Sequence, residues 1–144
     1  MKPISALASL ALAASLATSL AVPGARAQDV SLKAHIPFQF TVAQTTMPAG
    51  DYLVSSPLAN VIRVANLDKN LSATITTTRD FHDANGTNKL VFNKYGDQYF
   101  LHTVFCAEFS QMNVDLPEWK AEKKARSLEA KLNHGAEQVM IAAR

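Results

Sequence analysis

Alternating apolar and polar positions dominate the middle of the chain, from residue 30 to residue 105. A period of two is typical of strands that bury one face and expose the other. The strand-like runs are residues 30–36, 38–42, 51–55, 61–65 and 71–78, and both arms of 90–105. About seven short strands, with turn residues between them, predict a mainly β domain: an antiparallel β-sandwich or a small β-barrel.

The clearest hairpin pattern surrounds the dipeptide Gly96-Asp97. Glycine in the first position is typical of a two-residue type II′ turn, because that position takes a positive φ. Strictly regular pairing outward from this turn predicts four cross-strand pairs: Asn93 with Phe100, Phe92 with Leu101, Val91 with His102, and Leu90 with Thr103. A second hairpin is predicted around Asp68-Lys69-Asn70, with Asn70 as a candidate for left-handed backbone.

The segment after residue 110 changes character and predicts a charged C-terminal α-helix within residues 111–144. Asp115 is a candidate cap, Pro117 suits a first turn, and residues 133–135 are typical of a helix end. The apolar stripe at helical spacing consists of Ala121, Ala125, Leu128 and Leu132.

Two interpretations of this helix remain open: a solvated helix lying on the body, or a surface for a partner or the envelope. A stripe made mostly of alanine buries little apolar area. We therefore expect residues 117–144 to add little to stability, unless the Trp119 side chain anchors the helix.

Residues 1–27 have the pattern of a cleavable export signal. Lys2 provides a basic start, residues 4–22 are uncharged, and Ala25-Arg26-Ala27 matches a small-x-small cleavage site. We expect cleavage after Ala27, the alternative being retention as a membrane anchor, and export to the periplasm or the exterior. The predicted organisation is a signal peptide at 1–27, a β domain at 28–110 and the helical segment at 111–144.

Charge gives no general reason for nucleic-acid binding. Lys2 and Arg26 leave with the signal, so 12 basic residues then face 12 acidic ones. A neutral domain lacks the bulk electrostatic attraction that non-specific binding to nucleic acid or anionic lipid requires. No later stretch is long and apolar enough to predict a membrane span after signal removal.

Cys106 is the only cysteine, so the chain forms no intrachain disulfide. It lies in the apolar stretch Val104-Phe105-Cys106-Ala107, which favours a small buried side chain. An intermolecular disulfide or a reactive thiol is the alternative.

Three sequence blocks resemble a known family. They are Ile36-Pro37-Phe38-Gln39-Phe40-Thr41-Val42, then Pro48-Ala49-Gly50-Asp51-Tyr52-Leu53-Val54, then residues 89–101, which read KLVFNKYGDQYFL. The chain resembles a family of small exported bacterial β-rich proteins of the Acidobacteria type, with IPFxFxV, PAGxYxV and KLVFxxYGDxYFL blocks. No activity is assigned to that family. The resemblance implies an exported β-rich protein and carries over no catalytic, cofactor-binding or metal-binding residue.

Candidate chemistry is sparse. Asp80, His82 and Asp83 supply possible metal ligands in one polar loop, and His35 or His102 are candidates to complete them. The sequence contains no Gly-x-Ser-x-Gly elbow and no glycine-rich phosphate loop. We therefore predict no catalytic residues and no cofactor.

The leading interpretation is a non-catalytic binding or structural component of the periplasm or envelope. A lipocalin-like carrier of a small apolar ligand is the alternative. An enzyme or metal-binding protein that uses the loop at residues 80–83 is third.

Overall fold

A computed structural model describes residues 30–78 and 86–144. The predicted signal at residues 1–27 lies outside these described residues. The elements are β1 (Ser31–Ile36), β2 (Phe40–Val42), β3 (Thr45–Met47), β4 (Gly50–Leu58), β5 (Val61–Asn66), β6 (Ser72–Thr76), β7 (Lys89–Tyr95), β8 (Gln98–Phe105), β9 (Val114–Asp115), α1 (Lys120–Lys131) and β10 (Glu137–Ala142).

The strands of the described residues form two sheets, which confirms the predicted mainly β class. The first sheet has the order β1-β4-β5-β6 and is antiparallel throughout. The second sheet has the order β10-β7-β8-β2-β3, with β9 beside β8. Its strands are antiparallel except where β2 runs parallel to β8 at Thr41 and Phe100. The arrangement is sandwich-like, and within the described residues the sheets do not close into a barrel.

Alternating side chains of both sheets meet in one core. In β1, Leu32, Ala34 and Ile36 are buried, whereas the residues between them are exposed. Between the sheets, the Phe40 ring makes edge contacts with Tyr52 and Phe92 at centroid distances of 5.1 Å and 5.3 Å. Aromatic side chains therefore fill the space between the sheets.

The predicted hairpin around Gly96-Asp97 is confirmed. Gly96 takes a φ of +59°, as the first position of a type II′ turn requires. Near the turn the predicted pairs of Asn93 with Phe100 and Phe92 with Leu101 are both present.

Farther from this turn, the predicted register is wrong by one residue, because β8 contains a bulge. The observed pairs are Val91 with Thr103 and Leu90 with Val104, not Val91 with His102 and Leu90 with Thr103. The extra residue turns Val104 into the core, where it is fully buried. Regular pairing would have placed the hydroxyl of Thr103 there instead.

The second predicted hairpin connects β5 to β6 and is also confirmed. Its turn is shaped by Asn66, whose Oδ1 accepts hydrogen bonds from the backbone N–H groups of Asp68 and Lys69 at 2.9 Å and 2.7 Å. Asn70 does not take the positive φ that the sequence suggested.

The C-terminal helix is confirmed, but its predicted start is wrong. Trp119 is the N-cap, and Asp115 lies in β9, where its carboxylate accepts a hydrogen bond from Thr103 Oγ1 at 2.6 Å. The predicted end is confirmed, since Asn133 follows the helix with a φ of +58°.

The face that α1 turns to the body is not the predicted apolar stripe. Of the stripe only Ala125 is buried, and Glu122 is buried beside it. The outer face of the second sheet explains this rotation: Asn93 Nδ2 donates to Glu122 Oε1 at 3.0 Å, and Ala125 clusters with Tyr95 and Phe100.

Strand β10 is a feature that the sequence analysis missed. It pairs antiparallel with β7 along its whole length, and Val139, Ile141 and Ala143 pack against the core. Beyond it, two backbone hydrogen bonds of 2.8 Å and 2.9 Å pair Arg144 with Lys33 of β1. The end of the chain therefore connects the two sheets at one edge.

Candidate functional site

The bulge in β8 places two consecutive side chains on the outer face of the second sheet. His102 is the extra residue, and Thr103 is the residue that pairs with Val91. At a bulge the normal alternation is interrupted, so neighbouring side chains share one side of the strand. In β8, two adjacent polar residues lie between the apolar runs 99–101 and 104–105, and this pair is a sequence signal for such a bulge.

His102 and Thr103 both line an open groove of about 390 Å³ on this outer face, which we call the sheet groove. Val91 and Thr103 are buried parts of its lining, and Met140 of β10 is 63% exposed. The lining residues are Lys89, Val91, His102, Thr103, Phe105, Asp115, Gln138 and Met140.

Charged and polar groups in the sheet groove are held by specific contacts. The ammonium of Lys89 lies 4.8 Å from the centre of the Phe105 ring, a cation–π distance. Thr103 Oγ1 donates to Asp115 Oδ1 at 2.6 Å across the β8–β9 pair. A cation, a carboxylate and exposed apolar surface therefore lie within one groove on the outer face of the second sheet.

A buried carboxylate lies under α1, and His102 of the sheet groove is one of the groups whose charge acts on it. Glu122 is only 3% exposed, and burial raises its pKa above the ordinary 4.5. The hydrogen bond from Asn93 and the nearby charges of His102 and Arg126 oppose this rise in pKa, while Glu118 adds to it. A shifted carboxylate beside an imidazole is a frequent mark of functional sites, although structural networks shift pKa values too.

The ring nitrogen Nδ1 of His102 is buried and has no hydrogen-bond partner among residues 30–78 and 86–144. Trp119 Nε1, at the start of α1, is likewise buried and without a hydrogen-bond partner among these residues. Buried donors or acceptors without partners are costly, so such atoms are rare.

The loop residues Asp80, His82 and Asp83, predicted as possible metal ligands, lie outside the described residues. His35, one of their candidate partners, is exposed on β1, and its Nδ1 lies 2.7 Å from Asp51 Oδ1. In the two ranges that the structure describes, no three His, Cys, Asp or Glu side chains are grouped to hold a metal ion.

Cys106 is buried, as the sequence favoured. Its backbone N–H donates to Asn113 Oδ1 at 2.6 Å, so the residue is part of the turn before β9. The thiol therefore has a structural position in the core.

Comparison of the chain with protein-family models, with curated proteins and with solved structures gives no match. Among the described residues, none of the helices has the length and apolar character needed to cross a bilayer.

Proposed function

We propose that this protein is an exported, non-catalytic β-domain that binds a partner of the periplasm or cell envelope through the sheet groove. The observation that supports this best is the composition of the groove. Lys89, Asp115 and His102 offer charge and hydrogen bonds, and Phe105 and Met140 offer apolar contact. Mixed surfaces of this kind suit specific recognition, because polar groups fix orientation while apolar area adds affinity.

Support for export comes from residues 1–27 alone. Amino-terminal sequencing of protein recovered outside the cytoplasm should begin at Gln28. A sequence that begins at Met1 would contradict cleavage and favour a membrane anchor.

The packing between the sheets favours a binding surface over an internal carrier cavity. Phe40, Tyr52 and Phe92 are each at most 1% exposed, and the Phe40 ring contacts the other two rings between the sheets. A carrier of a small apolar ligand needs that space for the ligand. Native mass spectrometry of the exported protein tests this directly, since a co-purifying apolar molecule would support the carrier.

Site-specific photo-crosslinking tests the groove itself. A photoreactive residue at Gln138 lies in the groove, whereas one at Thr74 lies on exposed β6 of the first sheet. We expect a discrete adduct from position 138 and none from position 74. Met140→Glu should weaken the adduct at 138, since it places a charge on the exposed apolar part of the groove. Equal labelling at both positions, or no effect of Met140→Glu, would contradict the proposal.

The metal or enzyme hypothesis is tested separately. Elemental analysis of the purified protein, and of His82→Ala, measures any bound transition metal. A stoichiometric metal that the variant loses would favour that hypothesis over a purely binding function.

A further inference from the structure

The lysines and the glutamates of helix α1 point in opposite directions. The acidic side chains Glu122 and Glu129, and Glu118 just before the helix, are turned towards the body. The lysines are all exposed: Lys120, Lys123, Lys124 and Lys131.

Helical geometry places these lysines on one outward arc. At about 100° per residue they occupy an arc of about 100°, centred about 180° from the midpoint between Glu122 and Ala125. Ser127 is the remaining residue of that arc, so every charge on it is positive. We call this arc the lysine face.

Two exposed leucines lie between the lysine face and the buried side of the helix. At about 100° per residue, Leu128 is about 40° beyond the edge of the lysine face at Lys124, and Leu132 is about 80° beyond it. Leu128 is 55% exposed and Leu132 is 56% exposed. Both are larger and more apolar than a solvated helix requires, and the described residues leave them largely uncovered.

The rotation of α1 is fixed, so the lysine face cannot turn inward. Glu122 is hydrogen-bonded to Asn93 of β7, and Ala125 packs with Tyr95 and Phe100. These contacts hold the acidic side against the sheet and direct the lysines away from it.

We propose that the lysine face, with Leu128 beside it, docks on an anionic phospholipid surface with α1 lying in the plane of the headgroups. Lysine ammonium groups attract the lipid phosphates, and the adjacent Leu128 side chain enters the apolar boundary below them. A nucleic acid would satisfy the lysines but offers no apolar layer to Leu128, so the observations favour lipid. The formal neutrality of the exported chain does not oppose this, because the attraction depends on local charge within a Debye length. The lysine face shares no residue with the sheet groove.

Vesicle flotation tests this proposal with the exported protein. We expect binding to vesicles of phosphatidylcholine with about 30% phosphatidylglycerol, little binding to phosphatidylcholine alone, and weakening as salt rises. The double variant Lys124→Gln/Lys131→Gln should bind about 25-fold more weakly, taking about fivefold per lysine. The matched control is Lys33→Gln/Lys69→Gln, which removes the same charge from exposed positions of the first sheet and its turn.

Further arms distinguish lipid from other polyanions. Leu128→Ser should weaken vesicle binding at constant charge, which a purely electrostatic contact would not show. Equal loss in the two double variants, equal binding to neutral vesicles, or tighter binding to duplex DNA than to anionic vesicles would overturn the proposal. Circular dichroism of each variant checks that the fold is kept.

Discussion

Strand β10 offers the sharpest test of the fold, because neighbouring residues on it have opposite environments. Ile141 packs against the core between the sheets, whereas Met140 points outward and is 63% exposed. Replacing a fully buried isoleucine with alanine costs about 2–5 kcal/mol. Ile141 is only partly buried, so we expect Ile141→Ala to lower the free energy of unfolding by about 2 kcal/mol. In a domain of this size that corresponds to a fall of about 8 °C in Tm.

Met140→Ala is the matched control, since it leaves the β7–β10 pairing unchanged and removes an exposed side chain. Its effect should stay within about 0.5 kcal/mol. Urea denaturation followed by tryptophan fluorescence measures both variants. Equal effects would refute the position of β10 against the core. Deleting residues 137–144 should destabilise the body severely, whereas the sequence-based expectation for the segment 117–144 is almost no change in Tm.

Three further predictions follow from single contacts. Phe92→Ala should cost about 3–5 kcal/mol in urea melts, because the ring is fully buried between the sheets, and a loss below about 1 kcal/mol would contradict that placement. Burial raises the pKa of Glu122, so ionisation of this carboxyl group lowers the free energy of unfolding as pH rises above the ordinary 4.5. Glu122→Gln should therefore be more stable than the native protein in melts at pH 8 and equally stable at pH 4. A variant that is less stable at pH 8 would contradict this. Gly96→Ala should lower the free energy of unfolding by about 1–2 kcal/mol, because its φ is +59° and a Cβ there would lie 2.7 Å from Glu129 Oε1. Gly135→Ala, with open space around it, should leave the stability nearly unchanged in the same denaturation experiments.

Local patterns were sufficient to predict the hairpins. The alternation on both sides of Gly96-Asp97 specifies the turn, the nearest pairs and the inward position of Phe92. The bulge was missed because regular pairing was assumed, although His102 and Thr103 are two adjacent polar residues between apolar runs of β8. β10 was missed because its apolar residues form one short run, 139–142, that does not alternate with polar residues and follows a charged helix.

The orientation of α1 could not be predicted from the sequence. Apolar periodicity favoured the stripe that contains Leu128, because burying a carboxylate normally costs free energy. Glu122 is buried instead because Asn93 donates to it from β7, a partner far away in the chain. The sheet groove depends on the same kind of distant pairing, since it combines residues of β7, β8, β9 and β10.

The pairing of Lys33 with Arg144 has a consequence for the order in which the chain can fold. These residues lie roughly 110 positions apart, so at about 5–20 residues per second β1 waits several seconds during synthesis before this partner exists. Until then the edge of β1 beyond β4 lacks its hydrogen bonds to the end of the chain, and the two sheets are not connected there. Contacts of such large sequence separation form slowly. The connection between the two sheets at this edge therefore forms late, after the strands between Lys33 and Arg144 have been made.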